Sequence, residues 1–237
     1  MKVLIYHDII TNKTSLWGAG IILLYIVFAM IMLPFLGNSP EGGADVSLAA
    51  AEILNGAIFA LNFCFPIATI ECSNASCKSK WNTYAAALPG GYKKMLLTKY
   101  LFSAIGQFLA VMISILLILF CYAKYDTNVE VPFMFLLLMT GIMLIIQSFL
   151  LPLFLMGKSS IVGKIIIFSI ILIIYIGFSY LALGDISFIK DGNFLNTILE
   201  MLYTNQSKVW CILSILNISG ILLMFISYNL LSRHKSA

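Results

Sequence analysis

Apolar residues run along this chain in long unbroken stretches, with no two-residue alternation. Six stretches reach the roughly 20 residues that a helix needs to cross a bilayer: 16–36, 46–70, 100–123, 131–156, 165–184 and 209–231. A membrane barrel would instead alternate apolar and polar positions over strands of about ten residues. The pattern predicts an all-α, polytopic membrane protein with six transmembrane helices. Neither a repeat nor a low-complexity tract divides it, so residues 1–237 read as one domain.

Between the spans the pattern changes. In residues 1–15, Val3, Tyr6 and Ile10 share one helical face, which predicts a short amphipathic helix on the inner leaflet. The segment 37–46, GNSPEGGADV, reads as a turn. The connection 124–130 is short enough to make its two helices a tight antiparallel pair. Within 185–208, Phe194, Ile198, Leu199 and Leu202 recur at helical spacing and predict a short interfacial helix.

The longest segment between spans is 71–99, ECSNASCKSKWNTYAAALPGGYKKMLLTK. It starts polar. Then Trp81, Tyr84 or Ala85, and Leu88 form one apolar stripe, and Pro89-Gly90-Gly91 ends the helix. Lys93, Lys94 and Lys99 follow as the chain turns into the third span. Two readings of this helix are open. It lies at the headgroups with Trp81 and Tyr84 as anchors, or it docks in a groove on a soluble partner.

Composition agrees with the pattern. Of 237 residues, 61% are hydrophobic and 10% charged, against roughly 45–50% and 25% in an ordinary soluble domain. Such a chain cannot cover itself with polar side chains. No small-residue cleavage site follows the first apolar run, so the first span reads as a retained anchor.

Charge sets the orientation. With the N-terminus inside, eleven of the fourteen Lys and Arg fall on cytoplasmic segments; only Lys124, Lys190 and Lys208 fall outside. Both termini are therefore expected in the cytoplasm. The net charge of +4 follows from this topology, and a nucleic-acid footprint is not needed to explain it.

Few residues carry chemistry. The two histidines, His7 and His234, stand at opposite ends of the chain. No Ser-His-Asp set, HExxH or paired carboxylate lies in the spans, so no catalytic residue is expected. Gly157-Lys158-Ser159 lacks the earlier glycine of a phosphate loop, with Pro152 standing in its place. Three of the five cysteines lie in spans, and Cys72 and Cys77 lie in the 71–99 segment at a spacing unlike a zinc site. No metal is expected. In the second span Glu52, Asn55, Phe59 and Asn62 share one face. A polar helix contact, a substrate path and snorkelling of Glu52 are its three readings. Pro66 should kink this helix. Gln107, Gln147 and Asn217 stand alone in their spans and read as bonds between helices.

The 71–99 segment resembles the short permeases of the ABC-2 transporter family. The resemblance is strongest to those that serve bacterial peptide export and bacteriocin immunity, the phenol-soluble modulin exporters among them. It rests on Glu71, Lys80-Trp81-Asn82-Thr83-Tyr84, Leu88-Pro89, Lys93-Lys94 and Lys99-Tyr100. After Leu88-Pro89 the chain departs from the family pattern with Gly90, Gly91 and Tyr92. The resemblance implies a single ABC-2 type transmembrane domain in a bacterial plasma membrane. It implies a separate ABC ATPase that holds ATP and Mg, and a second permease subunit, either identical or a sister chain. No cofactor is implied in this chain. Lys78, Lys80, Trp81, Tyr84, Leu88 and Pro89 would form the coupling helix that meets the ATPase. Glu52, Asn55 and Asn62 are candidates for the translocation path. The alternative function is a non-transporting membrane anchor or immunity protein, with the same topology and no ATPase partner.

Overall fold

A computed structural model describes residues 43–78, 91–125, 127–155 and 206–234, with the isolated positions 20, 21, 24, 28 and 169. Four helices make up the continuous parts. They are α1 Gly43–Lys78, α2 Gly91–Tyr125, α3 Glu130–Leu155 and α4 Gln206–His234. Each contains a stretch long and apolar enough to cross a membrane. They take the places of the second, third, fourth and sixth predicted spans. The first and fifth spans lie outside the described residues except at Gly20, Ile21, Leu24, Phe28 and Ser169, all helical. The amphipathic segment 1–15 and the interfacial helix near Phe194 also lie outside them.

Two boundaries differ from the expectation. α1 begins at Gly43, inside the predicted turn, and runs on to Lys78. Glu71, Cys72 and Cys77 are therefore helical and do not sit in a loop. α2 begins at Gly91, so Lys93, Lys94 and Lys99 stand on a helix. α2 begins at the last residue of Pro89-Gly90-Gly91, and the short helix expected to end there lies outside the described residues. No polar loop of 71–99 exists as such; only 79–90 separate the two helices.

Local chemistry explains the tight end between α2 and α3. The side-chain Oδ1 of Asn128 accepts the Glu130 N–H at 2.8 Å, and Phe133 N–H bonds the Val129 carbonyl at 3.2 Å. The asparagine side chain thus satisfies the first backbone N–H of α3, which has no partner within the helix. Pro132 falls in the first turn, where its missing N–H does least harm.

α3 is the central element. It packs against α1 on one side and α4 on the other, while α2 lies against α1. Its core residues include Met134, Phe135, Leu138 and Met139, gathered with Leu54, Ile58, Ile118 and Leu213 from the other three helices. The α3–α4 crossing is close because glycines face it. A Cβ on Gly220 would stand 2.8 Å from Leu144 Cβ, and one on Gly141 would stand 2.8 Å from Leu216 Cδ2. Small residues let helices approach in this way in membranes. Gly106 gives α2 the same approach to Thr69 on α1.

The outer faces are apolar. On α2, Phe108 and Leu116 are exposed; on α4, Ile215, Phe225 and Leu230 are. Such a surface is unstable in water and at home in lipid. The protein is a multi-pass membrane protein.

Candidate functional site

The predicted polar face of α1 divides in two. Asn55 and Asn62 are buried, whereas Glu52 and Phe59 are exposed. Helix geometry gives the reason. At 3.6 residues per turn, Glu52 and Phe59 point within about 20° of each other, and the two asparagines are turned away by roughly 60–80°. Phe59 stacks on Phe63 with ring centroids 5.5 Å apart.

Asn62 is the centre of a buried hydrogen-bonded cluster. Its Nδ2 donates to Ser114 Oγ on α2 at 3.0 Å and to its own Ile58 carbonyl at 3.0 Å. Its Oδ1 accepts from Gln107 Nε2 at 3.3 Å and from Thr140 Oγ1 on α3 at 3.4 Å. Gln147 Nε2 then donates to Gln107 Oε1 at 3.4 Å. One asparagine thus joins three helices. Pro66 lies one turn beyond it and cannot donate to the Asn62 carbonyl, and Thr69 Oγ1 bonds the Pro66 carbonyl at 2.7 Å. The helix continues through Pro66.

Asn217 ties α4 to α3, donating to the Leu137 carbonyl at 2.9 Å. Nearer the other end of α4, the Tyr100 hydroxyl meets Ser227 Oγ, and its ring packs edge-on to Tyr228 at 5.6 Å. Leu96, Leu151 and Leu231 complete this small cluster. Gln107, Gln147 and Asn217 therefore all bond across helices. The hydroxyl partners of Asn62, Ser114 and Thr140, carried little signal of their own in the sequence. The one available was spacing, since Ser103, Gln107 and Ser114 fall at i, i+4 and i+11 on one face.

Lys99 is the plainest displacement. Its position in a positively charged segment placed it in a loop, yet it lies on α2 and is 2% exposed. Of the coupling residues, Lys78 is the last residue of α1. Lys80, Trp81, Tyr84, Leu88 and Pro89 lie outside the described residues. No group of three or more metal-ligand side chains occurs among the described residues.

A family model described as ABC-2 family transporter protein matches residues 3–233. The chain belongs to the ABC-2 transporter family. No curated protein and no solved structure matches it. The ABC-2 match runs continuously through 79–90 and through both spans outside the described helices. The likeness first seen between Glu71 and Tyr100 thus extends over nearly the whole chain.

Proposed function

We propose that this chain is the permease subunit of an ATP-driven exporter in a bacterial plasma membrane. It moves amphipathic peptides or membrane-active antibiotics, and it works with a separate ABC ATPase and a second permease subunit. The observation that carries the reading is the ABC-2 family match over residues 3–233 of a chain built from apolar spanning helices. The helix ends add support. α1 continues eight residues past Ile70, about 12 Å of polar helix. That extension and the start of α2 at Gly91 leave a short segment, 79–90, held between two helices. Lys78, Lys80, Trp81, Tyr84, Leu88 and Pro89 are assigned to the coupling helix. Glu52, Asn55 and Asn62 are assigned to the translocation path, with Asn62 holding its wall together.

The test lies in the coupling residues. An aromatic anchor buried in a partner's groove typically carries about 2 kcal/mol or more, and a rim charge much less. Trp81→Ala is expected to release the ATPase and abolish ATP-dependent transport while leaving the permease inserted. Lys80→Ala is expected to be much milder, weakening binding mainly at low salt, where the charge is least screened. Co-purification at two salt concentrations reads both. Full retention of the ATPase by Trp81→Ala refutes the docking assignment, and absence of any ATPase partner for the unmodified chain favours a non-transporting anchor.

A further inference from the structure

The interior of α1, α2 and α3 holds more hydrogen-bonding capacity than the helices use. Asn55 Oδ1, Ser103 Oγ, Tyr125 Oη and Gln147 Oε1 are buried atoms that meet no hydrogen-bonding group among the described residues. Asn55 is 8% exposed, and Ser103 and Gln147 are fully covered. At membrane depth a polar group left in this state is costly.

These four atoms are ordered along the bundle. Asn62 touches Ser114, and Thr69 lies against Gly106, so α1 and α2 run antiparallel in a defined register. Seven residues along each helix from the Asn62–Ser114 contact, Asn55 comes level with Cys121, about 10 Å away along the axis. Tyr125 follows one turn further and packs on the same core as Cys121. In the other direction, Gln147 reaches Gln107, and Ser103 lies one turn beyond Gln107 on the same face of α2. Two of the unmet atoms thus stand on each side of the Asn62 cluster. The cluster is closed, because its donors run in one direction from Gln147 through Gln107 and Asn62 to Ser114, which bonds the Ala110 carbonyl at 2.8 Å.

We propose that this interior is a water-binding seam, hydrated from both membrane faces up to the Asn62 cluster, which shuts it at mid-depth. Water is the ligand class that fits. It is small enough for a packed helix interface. It donates to the amide oxygens of Asn55 and Gln147, and it donates to or accepts from the hydroxyls of Ser103 and Tyr125. Buried waters ordinarily serve polar groups that the chain leaves unmet. A donor at Gln147 Oε1, the open head of the amide chain, also strengthens the bonds behind it. The seam lies within one subunit and stands whether or not the chain is an exporter's permease.

Cys121 is a native reporter, fully covered on the seam wall level with Asn55. With the other four cysteines replaced by alanine, silver ion, a thiol reagent close to water in size, is expected to react with Cys121 in membranes. It is also expected to react with Ser103→Cys in a Cys121→Ala background. Ser114→Cys, inside the cluster, is expected to stay protected. Ser103→Ala and Tyr125→Phe give a second reading that needs no reagent. If water bridges these hydroxyls, each variant lowers Tm by about 2–4 °C. If the hydroxyls sit dry, removing them relieves their desolvation cost and Tm rises. Protection at Cys121 and Ser103→Cys equal to that at Ser114→Cys, or a rise in Tm, overturns the seam. Reaction at Ser114→Cys as fast as at Cys121 overturns its closure by Asn62.

Discussion

Asn62 shows how much one side chain can hold together where water is scarce. Its two hydroxyl partners are insured: Ser114 also bonds Ala110, and Thr140 also bonds Leu136 at 2.8 Å. Gln107 is not, because its Nε2 bonds only Asn62 among the contacts described. Asn62→Leu therefore removes three bonds between helices and strands one amide. Hydrogen bonds between membrane helices average about 0.6 kcal/mol with a maximum near 1.7, so the loss should be about 1–2 kcal/mol. Unfolding in detergent measures it, and a cycle with Gln107→Leu should show coupling between the two sites. Additive effects would mean that the cluster is not one unit. The sequence showed Asn55 and Asn62 because an amide in an apolar run stands out. It did not show Ser114 or Thr140, because a hydroxyl can satisfy itself on its own helix. It misplaced Lys99 because a lysine beside a charged run reads as solvent-facing, while the register of α2 turns it inward.

At the scale of elements, the existence of α1 to α4 was legible and their ends were not. Apolar run length reports where lipid is, and a helix is free to continue past that boundary. α1 does so through Glu71 to Lys78, and α2 starts at Gly91, well before the apolar run at Tyr100. The close crossing of α3 and α4 was not legible either, since Gly141 and Gly220 are far apart in sequence and only packing reveals their meeting. It makes a sharp prediction. Gly220→Ala would force a methyl into Leu144 Cβ, a rigid part of a side chain, and should destabilise by about 1–3 kcal/mol. Gly56→Ala is the control. Nothing lies within 4 Å of its Cβ, so the gain in helix preference, about 0.5–1 kcal/mol, should appear uncompensated. Thermal unfolding of both variants in one detergent tests the pair, and equal shifts would contradict the close crossing.

For the whole molecule, the apolar faces of α2 and α4 set a membrane protein apart from a soluble bundle, and composition alone had pointed there. Orientation rests on the lysines and arginines. A reporter fused after Lys235 is expected in the cytoplasm and one inserted near Gly192 outside. A tail found outside would overturn both the helix count and the direction. The small cluster at Tyr100 has a mechanical consequence. α2 carries no proline over its 35 residues and behaves as a stiff rod. It meets α4 mainly at Tyr100, Ser227 and Tyr228, a point about 14 Å from Gly91 and about 38 Å from Tyr125. The contact divides α2 into arms of unequal length, and the long one is held by Gly106 against Thr69 and by the Asn62 cluster. A tilt of α2 against α4 about Tyr100 therefore has to break the Asn62 bonds, so the cluster sets the resistance to that movement.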